Sequence, residues 1–254
     1  MLCCNGIRRD GYGIMRIMTF NIQHGLNQKS NIIELEAISK MAEKYGVDVC
    51  GLNEVRGDGA LKNYTDQTEA IGGRLGFYRY FGEAFRVDGA NPYGNAIVSR
   101  YALKLVQTVP VPEPEDRNIL DGYEPRCVIK AVADVCGTDV CFLVCHMGLN
   151  DSERKNAVDT LCRLVDESRM PIIVMGDFNT KPDSDILMPL YERLRDTAET
   201  ADNPDIYTFP SYAPCVKLDY MLYKGLSCSG AKVIEEVVSD HFPIIADFDF
   251  PLKK

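Results

Sequence analysis

The chain has no tryptophan and only three histidines among its 254 residues. It has no Cys-x-x-Cys pair, although it holds ten cysteines. No uninterrupted apolar run approaches the ~20 residues that a membrane-spanning helix needs, so integral membrane association is not expected. Basic residues are in deficit: 28 Lys and Arg stand against 37 Asp and Glu, a formal net charge of −9. Such a chain cannot grip a long nucleic acid by charge alone, because that requires clustered Lys and Arg. It can still act on a phosphate held by a bound metal ion. The absence of paired cysteines argues against structural zinc. Cys50, Cys141, Cys145 and Cys162 lie inside apolar segments and read as buried, reduced thiols. The opening MLCCNGIRRDGYGIMRIM carries charges where a signal peptide needs an apolar segment, which points to a cytoplasmic protein.

What is present suits one sizeable core. Residues 1–14 read as a flexible lead-in and 15–254 as a single domain. There is no internal repeat. Strands are expected at 16–22, 47–52, 94–99, 127–135, 140–145, 171–176, 218–223, 231–238 and 244–250, from short apolar runs bounded by turn residues. Three amphipathic helices are expected: 31–45 capped by Asn31, 152–168, and 184–195 capped by Ser184. The Pro-rich, acidic stretch 109–125 reads as a surface loop. Strands outnumber helices, and hairpins mix with helical crossovers. Two packed sheets with helices outside satisfy that count, an α+β fold.

The chemistry sits where these strands stop. VVSDHFPIIADF is apolar on both sides of Ser239, Asp240 and His241. RIMTFN ends on Asn21, VDVCGLN is followed by Glu54, and VCFLVC runs into His146. PIIVMG runs into Asp177 and Asn179, and LDYMLY opens on Asp219. Taken singly, each carboxylate or carboxamide is a turn residue or a cap. If the strand ends share one rim, however, a single cleft collects carboxylates, carboxamides and two imidazoles.

The pieces TFNIQHG, GLNEV, YGNAIVSR, VCHMG, MGDFNTKPDS, LDYML and SDHFPI occur in one order across residues 16 to 250. That order resembles the endonuclease/exonuclease/phosphatase superfamily. GDFN and SDHFP carry most of the specificity; NEV and LDY are weak alone. The resemblance implies a four-layer α/β/β/α sandwich, two mainly antiparallel sheets packed face to face with helices outside, as in deoxyribonuclease I. It also implies a metal-dependent phosphoric ester hydrolase acting by in-line attack of water. The implied metal ligands are Glu54, Asn21 through its carboxamide oxygen, and Asp240, holding Mg²⁺ with Mn²⁺ or Ca²⁺ as substitutes. His241, oriented by Asp219, would be a general base or would hold the phosphate ready for attack. Asp177 would orient the water, Asn179 would donate to a non-bridging oxygen, and His146 would be a phosphate contact or general acid. Glu83 is a candidate to orient His146. His24 has no clear role and packs near the ligands in the plainest reading. Arg126 would reach substrate phosphate or form a surface salt bridge. Asn95 would touch substrate or simply begin a strand.

A phosphorylated small molecule is the expected partner, because the loop EPEDRNILDGYE is acidic and no aromatic hairpin suggests lipid insertion. DNA or RNA is the alternative substrate, and a non-catalytic binding protein on the same fold a lesser one. No protein partner is expected.

Overall fold

In this computed structural model, the residues described are 6–7, 12–117, 122–201 and 206–251. The strands of the first half are β1 (Gly6–Ile7), β2 (Tyr12–Asn21), β3 (Leu26–Asn27), β4 (Ile32–Ile33), β5 (Val49–Arg56), β6 (Tyr78–Val87), β7 (Asn91–Ser99) and β8 (Leu103–Pro110). Those of the second half are β9 (Cys127–Val135), β10 (Thr138–Cys145), β11 (Ile172–Asp177), β12 (Arg195–Asp196), β13 (Asp219–Lys224), β14 (Ser227–Val233) and β15 (Ile244–Pro251). The helices are α1 (Leu35–Lys44), α2 (Gln67–Leu75), α3 (Asp151–Glu167) and the single turn α4 (Met188–Tyr191).

Two large sheets form, in the orders β14-β15-β2-β5-β7-β6, with β1 beside β2, and β12-β13-β11-β10-β9-β8, and β3 pairs with β4 in a separate two-stranded sheet. Alternating side chains give each sheet two apolar faces. Ile17, Phe142, Ile173 and Met175 point into the space between the sheets. Their neighbours Met18 and Phe20 pack under Ile38 and Met41 of α1. Leu143 and Val174 pack under Leu161 and Leu164 of α3. The result is the expected α/β/β/α sandwich. Gly51 lets the two sheets approach closely, since a Cβ there would lie 2.7 Å from Met175 Sδ.

Only β2–β5 and β10–β11 pair in parallel; every other described pair of neighbours is antiparallel. The two exceptions matter. Each parallel pair sends two C-terminal ends, Asn21 with Glu54 and His146 with Asp177, to one rim. Antiparallel β13 and β15 then return with their N-terminal ends at the same rim. Asp219 pairs in register with Asp177, and Ile244, just after Asp240 and His241, pairs with Thr19.

Several local expectations are corrected. The strand at 16–22 already begins at Tyr12, within the anticipated lead-in, and Gly6–Ile7 pair with Gly13 and Ile14; the rest of residues 1–11 lies outside the described residues. Asn31 caps nothing. It sits at φ +57°, Ile32–Ile33 pair with Leu26–Asn27, and the helix starts only at Leu35. The helix expected over 184–195 breaks into a 3-10 turn and α4, because Pro189 has no N–H to continue it. Ser184 does cap that turn, accepting from Ile186 N at 3.3 Å. The strand expected at 231–238 runs as Ser227–Val233, and beyond it the backbone leaves the ladder with Ile234 N donating to Pro243 O. Cys50, Cys141, Cys145 and Cys162 are free and buried, as expected, whereas Cys136 is disulfide-bonded.

Candidate active site

Strand geometry alone would leave Glu54 in the sheet. A bulge between Leu52 and Val55 interrupts the β5–β7 ladder, and Glu54 adopts φ +58°, which side chains larger than glycine rarely take. This kink turns its carboxylate into the cleft. Two donors hold it there: Asn21 Nδ2 at 2.9 Å from Oε1 and Tyr93 Oη at 2.8 Å from Oε2. Such local strain persists only where surrounding contacts over-determine it.

Asp177 lies at the centre. Its Oδ2 accepts from Asn21 Nδ2 at 3.0 Å and is 3.6 Å from both His146 Nε2 and His241 Nε2. Its Oδ1 accepts from Asn179 N at 2.9 Å. Behind it, Asn53 Oδ1 accepts from Asp177 N, while Asn53 Nδ2 donates to Asn95 Oδ1 at 2.8 Å. Asn95 Nδ2 in turn donates to Cys127 O. This buried chain of carboxamides ties β5 and β7 to β9 and β11, and so locks the two sheets together beneath the site. Asn95 is therefore a buried bridge within β7 and is not among the residues lining the cleft, in keeping with the second of its two readings.

His241 Nδ1 is 2.8 Å from Asp219 Oδ2, and both residues are buried. The Phe209 ring lies against the imidazole, 4.7 Å between centroids. The segment 208–211 straps this dyad: Phe242 N donates to Thr208 O, Ser211 N to Asp240 O, and Thr208 Oγ1 accepts from Asp219 N. His146 has a different setting. Arg126 Nη1 lies 3.4 Å from Nδ1 and Asn179 Nδ2 lies 3.0 Å from Nε2. Both ring nitrogens thus face N–H donors. Glu83 is not its partner; that carboxylate pairs with Arg86 at the surface. Arg126 is 9% exposed and is paired with Glu124 at 3.0 Å, so it is built into the wall of the cleft. His24 contributes its carbonyl to Gln67 Nε2 and does not line the cleft.

The environments push the two imidazoles apart. Burial lowers His146 well below its ordinary range, and the Arg126 charge lowers it further. Burial also opposes charge on His241, but the Asp219 carboxylate, its hydrogen bond and Asp177 outweigh it and raise the ring to about 10. Burial raises Asp177 as well, and the Asp219 charge adds to that. A sign follows for metal-free protein. The His241 contribution to stability is complete below the ordinary histidine pKa of 6.5 and is lost as pH rises through about 10. The His146 contribution runs the other way, present above 6.5 and lost as pH falls toward its depressed value. Ring ¹⁵N shifts in EDTA at pH 8 are expected to report one imidazolium, assigned with His241→Gln, beside neutral rings for His146 and His24. Three neutral rings would contradict this electrostatic picture.

The cleft has a volume of about 430 Å³, and Glu54, Asp177, Asp240 and His241 all line it. Its residues fit a cation. Burial raises Asp240, and the charge of Glu54 raises it further. Asp219 Oδ1 is buried without a hydrogen-bond partner. Asp177, Asp219 and His241 could together hold a metal ion, their ligand atoms lying within 4.8 Å of one another. That grouping differs from the expected Glu54–Asn21–Asp240 set. Asp219 and His241 already satisfy each other, while Glu54 and Asp240 present carboxylate oxygens, the donors hard cations prefer, to the same cleft. Asn21 is placed differently from expectation: its Oδ1 accepts from Gln23 N at 3.1 Å, and its NH₂ aims Glu54 and Asp177.

A sandwich with one polar cleft at the rim of two apposed sheets is the deoxyribonuclease I-like class. The chain belongs to the Endonuclease/Exonuclease/phosphatase family, whose model matches residues 18–241. A UPF0294 protein of Vibrio vulnificus is 33% identical over 104 residues, 40% of this chain and 36% of that protein. The chain therefore spans about a third of the length of that curated relative. Among solved structures, an endonuclease/exonuclease/phosphatase family protein from Leptotrichia buccalis is 22% identical with a TM-score of 0.76, covering 93% of this chain and 100% of that one. A mannosyl-6-phosphatase from Bacteroides thetaiotaomicron is 17% identical with a TM-score of 0.73, covering 93% and 100%. Among the described residues, no helix is long and apolar enough to cross a membrane.

Proposed function

We propose that the protein is a Mg²⁺-dependent hydrolase of a small phosphorylated substrate, with Mn²⁺ or Ca²⁺ as possible substitutes. The observation that carries this reading is the convergence of Glu54, Asp177, Asp240 and the His241–Asp219 dyad on one cleft. A divalent cation held by Glu54 and Asp240 would stabilise negative charge growing on the phosphoryl and leaving oxygens.

The remaining work falls to the chain's own groups. His241, charged by Asp219, donates from Nε2 to a non-bridging phosphate oxygen. Its charge state favours this role over that of general base. Asp177, central and with a raised affinity for protons, orients the attacking water and takes its proton. Asn179 is held in place by its φ of +49°, by Arg154 Nη1 on its carbonyl at 3.0 Å and by its own donation to Met147 O, and on substrate binding it turns its other N–H from His146 Nε2 to the phosphate. His146, held neutral, contributes a phosphate contact and is a poor proton source for the leaving group. Arg126, already paired with Glu124, adds N–H donors at the cleft wall without net positive charge. These are positioning and electrostatic effects, with no covalent intermediate.

A nucleic-acid substrate is disfavoured by Glu124, which lines the same cleft and would face flanking phosphates. The test is a panel of p-nitrophenyl phosphate, bis-p-nitrophenyl phosphate and an oligonucleotide, with Mg²⁺ and with EDTA. Turnover of the small esters that vanishes in EDTA supports the reading. Steeply salt-dependent cleavage of the oligonucleotide alone would replace it with a nuclease.

A further inference from the structure

We propose that the Glu124–Arg126 wall is a polyol subsite, so that the substrate is a phosphoester of a sugar or cyclitol. This rests on the phosphoesterase reading above and names its substrate class. Glu124 and Arg126 both line the cleft, on the segment leading into β9, with Arg126 Nη2 3.0 Å from Glu124 Oε2. Arg126 is fixed by burial and by His146; Glu124 is 44% exposed and open to a ligand. The pair carries no net charge. It offers acceptor-only oxygens beside donor-only N–H groups. A hydroxyl satisfies both at once, giving its proton to Glu124 and accepting from Arg126, and neighbouring hydroxyls on a ring do so twice.

Other occupants are served worse. A second phosphate finds no net positive charge on the pair and only acceptor oxygens on Glu124. A quaternary ammonium meets a carboxylate already neutralised by Arg126. An alkyl chain would strip water from both charges and return no hydrogen bond. Leu149, Phe209 and Leu218 also line the cleft and supply apolar surface for the C–H face of a ring. The cleft, at about 430 Å³, is in the range of small-molecule sites.

The test measures kcat/KM of the Mg²⁺-loaded protein on glucose 6-phosphate, myo-inositol 1-phosphate and glycerophosphoinositol. Comparison substrates are a 5′-nucleotide, phosphocholine, p-nitrophenyl phosphate and bis-p-nitrophenyl phosphate. We expect at least one polyol ester to exceed the nucleotide and phosphocholine by tenfold or more. In Glu124→Gln, the ratio of kcat/KM on that ester to kcat/KM on the better p-nitrophenyl ester falls at least tenfold, mostly through KM. Glu124→Asp restores part of that ratio. An unchanged ratio in Glu124→Gln, or a preference for phosphocholine or the nucleotide, overturns the subsite alone. No turnover of any ester with metal present overturns the hydrolase reading, and the subsite with it.

Discussion

Replacing Glu54 by Gln removes metal-dependent turnover, lowering kcat/KM by about 10²–10³ at fixed Mg²⁺ while the thermal midpoint moves little. The change is isosteric, yet it strikes twice. One formal charge leaves a site whose remaining carboxylates must hold a hard cation. The new NH₂ group also cannot accept from both Asn21 and Tyr93, the donors now at 2.9 and 2.8 Å. One of those donors is forced to turn away, and the side chain loses its aim. Raising Mg²⁺ is expected to recover part of the rate, since the defect includes affinity. Assays across a Mg²⁺ series check this. A wild-type rate in Glu54→Gln at every concentration would remove this residue from the metal site.

His241→Ala is expected to lower kcat by about 10²–10⁴, the range for losing a positioned proton-transfer or charge-stabilising group. It also leaves Asp219 buried with neither oxygen paired, since Oδ1 already has no hydrogen-bond partner. The double variant His241→Ala/Asp219→Asn separates the two effects. Removing the buried charge is expected to return stability without returning activity. Circular dichroism melts and initial rates on the same preparations distinguish them. Full activity in His241→Ala would take the histidine out of the mechanism.

The apolar frame and the rim could be read in the chain because strand ends repeat one pattern: a buried run, then one acid, amide or imidazole. That pattern places Asn21, Glu54, His146, Asp177 and Asp219 at strand termini, and Asp240 and His241 just ahead of one. What escaped depends on geometry that no run of residues displays. Tyr93 reaches Glu54 only because the β5 bulge displaces it. Asn53 lies beside Glu54 in GLNEV, yet its role as a link between the sheets needs the Asn95 and Asp177 contacts. Both carboxamides are buried, which favours the structural reading of Asn95 over substrate contact. Thr208, Phe209 and Ser211 brace the dyad from a loop with no period to mark it. α2 shows no clear helical period because Gly72 and Gly73 interrupt its pattern, although Asp66 caps it through Glu69 N. The tautomer partner of His241 followed the family motif; the neighbours of His146 did not, since Arg126 and Asn179 stand where a carboxylate was sought.

Anomalous diffraction from crystals soaked in Mn²⁺ tests the central claim most directly. The account predicts one strong peak in contact with the carboxylates of Glu54 and Asp240, absent after chelation. A peak seated instead on Asp177, Asp219 and His241, with Glu54 untouched, would contradict it.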